Sequence, residues 1–217
     1  MTNQGELFTT SPVDMLMYEK AVYKCGYSNI AGIDEAGRGP LAGPVMAAAV
    51  ILRRDILISG VDDSKKLGPD KRDKLFDIIM SQALSVGVGV VSPSEIDEIN
   101  ILQATRRAML YAVQNLSREP DYLLIDGITT IQSLLTQKTI KKGDSLSLSI
   151  AAASIIAKVT RDRYMIDMDS KFPGYGFAKH KGYGSAAHLE AIRKLGPSAI
   201  HRLTFGGVKE HVVCTSL

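Results

Sequence analysis

With 217 residues, 45% of them apolar and 23% charged, the chain has the composition of a folded globular protein and enough length for one large core. Two cysteines, Cys25 and Cys214, lie at opposite ends without metal-ligand spacing and read as reduced thiols, and the four histidines show no HxH or HExxH pattern that would mark structural zinc. No apolar run approaches the ~18 residues of a membrane span and the N-terminus lacks the basic start and apolar centre of a signal peptide, so the expectation is a cytoplasmic protein away from the membrane.

The net charge of +3 is mild but uneven. From residue 150 onward ten basic residues stand against five acidic ones, a footprint suited to phosphate, although solvated helix faces give similar counts. Residues 1–12 are polar and read as loose. Pro12 to Lys24 can form a short helix with Met15, Tyr18 and Val22 along one face.

The next stretch organises the rest. Ile30-Ala-Gly-Ile-Asp34-Glu35-Ala-Gly37-Arg38-Gly39-Pro40 reads as a buried strand opening into a tight turn, with two acids at the strand end. Burying a carboxylate costs several kcal/mol even after relaxation, so something must compensate Asp34. Adjacent strand residues point to opposite faces, so Asp34 and Glu35 serve one site only if the chain bends or Glu35 acts partly through its backbone. A polar strand end paired with Lys or Arg competes evenly with a functional site. A dinucleotide loop over Gly37, Gly39 and Gly43 is the weaker alternative. Its third glycine comes one place late, Pro40 removes a donor, and two carboxylates would face the pyrophosphate.

Val45 to Leu52 is apolar and β-compatible, a hairpin-like neighbour of the first strand. The turn-rich Asp62-Asp-Ser64-Lys65-Lys66-Leu67-Gly68 precedes Pro69, which is placed to begin a helix running to about Leu84. A strand over Ser85–Val91 and helices over Ser94–Ile99 and Asn100–Leu116 follow. Tyr122-Leu-Leu-Ile125-Asp126-Gly127 repeats the opening grammar of apolar strand, acid and glycine. Two parallel strands ending at one sheet edge would bring Asp126 to Asp34.

Gly143-Asp144-Ser-Leu-Ser leads into a helix carrying Lys158, Arg161 and Asp162. Here Asp144 reads either as a cap or as a further site acid, and Lys158 and Asp162 can pair across one turn. Phe172 to Gly184 interleaves aromatics, glycines and cations, suited to sugars and phosphates or to irregular packing. A helix spans Ser185–Leu195 and precedes Gly196-Pro-Ser-Ala-Ile-His201-Arg202, after which the closing residues read as a loosely held tail. No internal repeat or long linker marks a second full domain. Three or four acids, no catalytic Cys/His pair and a basic aromatic flank together point to an oxygen-ligated divalent cation acting on a phosphodiester.

The stretch DEAGRGPLAGPV from Asp34 resembles the first signature of the bacterial ribonuclease HII family, the type 2 ribonucleases H. DSKKL from Asp63, GDSLSLSIAAASIIAKVTRDRY from Gly143 and the KGYG loop resemble further signatures in the expected order. The resemblance runs from about Tyr18 to Phe205. It implies an RNase H-like α/β fold, a mixed central sheet flanked by helices, with a small C-terminal helical appendage. The domain reading is one catalytic domain over 1–217, with a substrate-binding appendage from about 170. The implied activity is cleavage of the RNA strand of RNA–DNA hybrids, and cutting 5′ of single ribonucleotides in duplex DNA to leave 3′-hydroxyl and 5′-phosphate ends.

By matching motif, the resemblance makes Asp34, Glu35, Asp126 and Asp144 the active-site acids, holding two Mg²⁺ or Mn²⁺ ions with Asp34 bridging. Gly37, Arg38 and Gly39 would read the ribose 2′-hydroxyl, Lys65 or Lys66 would contact a phosphate, and Tyr183 would stack on the neighbouring deoxyribose. The expected partners are RNA–DNA hybrid and ribonucleotide-containing duplex DNA, met by a monomer. The sister ribonuclease HIII family carries an extra N-terminal domain, for which the roughly thirty residues before Asp34 are too few. Two other classes stay open on the residues alone: a nonenzymatic hybrid-binding protein, and a nucleotide-dependent α/β enzyme using Gly37 to Gly43.

Overall fold

The computed structural model describes residues 14–56, 58–61 and 67–212, so Lys65 and Lys66 lie outside the described residues. Strands β1 (Ile30–Ala36), β2 (Val45–Ile51), β3 (Ser85–Val91), β4 (Tyr122–Asp126) and β5 (Thr136–Ile140) form one sheet in the order β3-β2-β1-β4-β5. The first three run antiparallel, whereas β1, β4 and β5 are parallel. The sheet is therefore mixed, as the family resemblance implies. β5 was not legible: TQKTI is polar, sits at the sheet edge and alternates without an apolar face.

Strand alternation divides the core into two layers. Ala48 and Val50 of β2 pack toward α2 (Pro69–Gln82) and α4 (Leu148–Lys171), while Ala47, Ala49 and Ile33 pack toward α3 (Pro93–Gln114). α3 opens with a reciprocal cap between Ser92 and Glu95. It breaks at Asn100, where φ is 67°, and the Asn100 carboxamide oxygen accepts from the N–H groups of Leu102 and Gln103, starting the second half. The two predicted helices are thus present, divided at Asn100.

Gly32 sets how closely β1 approaches α4. A Cβ there would stand 2.1 Å from the carbonyl carbon of Ser149, so only glycine lets the strand lie against the first turn of that helix. The same turn is locked from the N-terminal side by α1 (Met17–Lys24). The buried Glu19 Oε1 accepts from the Ser147 hydroxyl at 2.6 Å, the Ser149 hydroxyl at 2.7 Å and the Ser149 N–H at 3.0 Å. Glu19→Ala strands those donors in the core and is expected to cost about 2–4 kcal/mol in denaturant unfolding. A loss under ~0.5 kcal/mol would show that the anchor is dispensable.

A third cluster joins the C-terminal part to the sheet domain: Met165 and Met168 of α4 with Phe177 of α5 (Phe177–His180), Ile192 of α6 (Ala186–Leu195), Ile200 and Val208. The expected loose tail is corrected here. Val208 is fully buried in this cluster, so the chain stays packed beyond Arg202, while residues 213–217 lie outside the described residues. Single apolar residues spaced among glycines gave no periodic signal for this. Among the described residues no helix is long and apolar enough to cross a membrane.

Candidate metal centre and nucleic-acid interface

The site begins where β4 stops and β1 continues. Their last parallel pair is Ile33 with Ile125, whereas β1 stays paired with β2 as far as Ala36 and Met46. Asp34 and Asp126 thus emerge side by side at the opening. A 3₁₀ turn, Gly143–Ser145, supplies Asp144, and the Gly143 N–H donates to Asp126 Oδ1 at 2.6 Å, tying this turn to the end of β4. Carboxylate oxygens of Asp34, Asp126 and Asp144 all lie within 4.8 Å of one another. The cap of α4 is Ser147 and not Asp144.

Asp34 is 4% exposed, and its carboxylate accepts from the Glu35 N–H at 2.7 Å and from the Ser154 hydroxyl. Burial pushes its acidity well above the usual carboxylate range. The negative charges of Glu35 and Asp126 push the same way, and the two hydrogen bonds only partly offset them. Among the described residues neither Asp34 nor Asp126 has a Lys or Arg ion pair. Three converging hard oxygen donors suit a divalent cation, and no nitrogen or sulfur ligand belongs to the group. Glu35 stands apart from the trio. Strand alternation turns it toward the α3 side, where its Oε1 accepts from Arg38 Nη1 at 3.2 Å.

Beside the acids lies a cavity of about 550 Å³ lined by Glu35, the Gly37-Arg38-Gly39 turn, Ser154, Lys158 and Tyr183. Gly37 has φ +94°, and a Cβ there would stand 2.0 Å from Arg161 Nε, so this corner accepts no side chain. Tyr183 is half exposed, and a Cβ on Gly39 would meet its ring at 3.7 Å. The turn runs into β2 through an antiparallel hairpin, so no helix N-terminus follows it and the dinucleotide-loop alternative loses its anion site. Lys158 bonds Asp162 at 2.7 Å, the pairing expected across one turn. On the far side of Tyr183 a second cavity of about 420 Å³ is lined by Arg72, Lys158, Arg163, Lys179 and Lys181, with Asp73 and Asp162.

Two features escaped sequence reading. Arg161 and Arg202, counted among the basic residues available to phosphate, are buried and bond backbone carbonyls. His180, His188 and His201, separated in sequence, meet beneath the Tyr183 loop. The rings of His180 and His188 stack at 4.3 Å, and the Nε2 atoms of His188 and His201 are 3.0 Å apart.

The partners assign the protons. His188 Nδ1–H donates to the Tyr183 carbonyl at 2.9 Å, so its Nε2 accepts from His201 Nε2–H; His201 Nδ1 accepts from the Ser198 N–H at 2.9 Å. His180 donates from Nε2 to the Tyr175 carbonyl and accepts at Nδ1 from Gly182. All three rings are therefore neutral. Burial first, then His188, pushes His201 down to about 4, and burial also lowers His188.

With this geometry in hand, the comparisons with known proteins agree. The family model described as Ribonuclease HII matches residues 31–208. A relative from Pelobacter propionicus, named Ribonuclease HII, is 64% identical over 213 residues, covering 98% of this chain and 97% of its own. A second, from Geotalea uraniireducens and with the same name, is 65% identical over 198 residues, covering 91% and 92%. Among solved structures, ribonuclease H2 from Pyrococcus horikoshii superposes with a TM-score of 0.69 at 30% identity, covering 84% of this chain and 96% of that one.

Proposed function

We propose, from the premise that this chain belongs to the ribonuclease HII family, that it cuts 5′ of single ribonucleotides embedded in duplex DNA, leaving 3′-hydroxyl and 5′-phosphate ends. The coarser activity is that of the family: a metal-dependent endoribonuclease acting on RNA–DNA hybrids. The observation that carries the proposal is the meeting of three carboxylates beside a cavity floored by a glycine turn and walled by one tyrosine.

Asp34, Asp126 and Asp144 would hold Mg²⁺ or Mn²⁺, with Glu35 as the further acid beside them. Such ions, when bound, supply Lewis acidity to the phosphodiester and make water a nucleophile. The protein's own residues do the rest. Asp34, kept in place by Ser154 and the Glu35 N–H, presents its oxygens at a fixed point. Gly37, Arg38 and Gly39 leave their backbone open for close approach of a sugar, whose 2′-hydroxyl separates RNA from DNA. Tyr183 offers a ring face to the neighbouring deoxyribose, and the basic cavity beyond it offers cations to the phosphates that follow. Lys65 and Lys66 are kept as further phosphate contacts. The whole chain works as one catalytic unit, with residues from about 170 onward holding the substrate, and it acts as a monomer.

The test is incubation with a duplex containing one ribonucleotide, with and without Mg²⁺ or Mn²⁺. Cleavage 5′ of the ribonucleotide, only with metal, is expected. Cleavage without metal, or none with it, would remove the reading. Tyr183→Ala should lower kcat/KM on that duplex about tenfold or more, the scale of one lost stacking partner. Its thermal midpoint should stay near wild type because the ring is half exposed. Unchanged kcat/KM would end the junction-sensing role.

A further inference from the structure

We propose that Arg202 is a positioning residue that aims the Arg38 and Gly39 N–H groups into the substrate cavity. This inference rests on the reading that the Gly37–Gly39 turn meets the sugar at the cleavage point.

Arg202 donates from Nη2 to the Gly37 carbonyl, from Nη1 to the Arg38 carbonyl at 2.9 Å and from Nε to the Gly43 carbonyl at 3.0 Å. Arg161 makes the companion set: Nε to Pro44 at 3.0 Å, Nη2 to Ala42 at 3.1 Å and Nη1 to Lys181 at 3.0 Å. Two guanidiniums therefore take up six carbonyls from the turn and from the loop that carries Tyr183. Both are buried to within 1% exposure.

Peptide geometry converts this into a direction. In a trans peptide the N–H points opposite to the C=O of the same unit, and among the described residues no peptide bond is cis. The Gly37 carbonyl shares its unit with the Arg38 N–H, and the Arg38 carbonyl shares its unit with the Gly39 N–H. Holding both carbonyls on Arg202 turns both N–H groups away from it. Among the described residues neither N–H has a hydrogen-bond partner. The turn lines the cavity while Arg202 stands behind it. Two successive outward N–H groups form a concave site for an oxygen acceptor.

The residue type also needs explaining. Burying two guanidiniums near each other is costly, and burial together with Arg161 draws Arg202 below its ordinary range. A neutral side chain could fill the space. Only a planar fork reaches three carbonyls in fixed directions, which lysine cannot do. Asp97 steadies the segment by accepting from the N–H groups of Leu203 at 2.7 Å and Thr204 at 3.0 Å.

The experiment compares Arg202→Lys and Arg202→Gln with Gly39→Ala. For folded Arg202 variants, kcat/KM on a duplex with one ribonucleotide should fall about 100-fold, the scale of a 1 Å misplacement. Mn²⁺ affinity measured by calorimetry should stay unchanged, and the amide resonances of Arg38 and Gly39 should shift. Wild-type kcat/KM in Arg202→Lys would show that charge alone suffices and would overturn the proposal. So would a loss confined to thermal stability. In the wild-type protein the Arg202 guanidinium should give separate, slowly exchanging Nη resonances, a readout that needs no variant; a freely rotating group would overturn the clamp. Gly39→Ala tests the underlying reading, since its Cβ enters the cavity at ordinary contact distance from Tyr183. Full activity there would remove the turn from substrate contact, whereas loss there with an active Arg202→Lys would remove only the positioning role.

Discussion

Asp34→Asn lowers kcat by about 10³-fold or more, a loss of roughly 4 kcal/mol in transition-state stabilisation, while making the metal-free protein more stable. The two effects have one cause. Asp34 is buried beside Glu35 and Asp126, and its folded-state pKa is raised above the unfolded value of 3.8. A carboxyl with a raised pKa binds its proton more tightly when folded. Its contribution favours folding at low pH and turns against folding as pH rises through the folded value, so at neutral pH the buried Asp34 carboxyl is a liability. Asparagine keeps an oxygen acceptor for Ser154 and the Glu35 N–H and removes the charge. Thermal unfolding at pH 7 without metal should therefore show the variant above wild type. Added Mn²⁺ should raise the wild-type midpoint and leave the variant little changed. Unchanged turnover would exclude Asp34 as a metal ligand, and a less stable metal-free variant would refute the electrostatic account. Hybrid binding in the variant should persist, because the cavity walls are untouched.

Acid acts on the histidine cluster in the opposite sense. His201 falls from 6.5 to about 4 on folding, so the unfolded chain binds the extra proton in that window. Stability is full above pH 6.5 and drains as pH falls toward 4, by roughly 3 kcal/mol for this group, with His188 adding in the same direction. The structural reason is that every ring nitrogen is already committed. A proton on His188 Nε2 would face the His201 Nε2–H, and one on His201 Nδ1 would face the Ser198 N–H. Denaturant midpoints at pH 7 and pH 4.5 measure the loss. In His201→Gln the pH dependence between those values should shrink by about half or more. An unchanged slope would place the acid sensitivity elsewhere. The Asp34 contribution runs the other way, so the comparison is cleanest in the Asp34→Asn background.

Residue by residue, the legibility of this protein follows the range of the forces involved. β1, β2 and β4 announce themselves because apolar runs closed by glycine are local patterns, and Asn100 marks a helix boundary because few other residues tolerate its φ of 67°. β5 gave no signal because an edge strand owes its place to β4 and not to its own polar side chains. The packed segment after α6 was missed for the same reason: Ile200, Arg202 and Val208 are each held by partners distant in sequence.

For the site, the sequence pattern singled out Asp34 and Asp126 as candidates, since a carboxylate at a strand end is a local anomaly that repeats, whereas Asp144 was read as a site acid only through the family resemblance. Which of them meet was left to the fold. Parallel pairing that stops at Ile33 and Ile125 brings Asp34 to Asp126, a turn tied by one N–H adds Asp144, and strand alternation turns Glu35 to the other face, where it lines the adjoining cavity. The histidine trio and the arginine clamp belonged wholly to tertiary structure, because hydrogen bonds spanning up to 165 residues leave no periodicity to read.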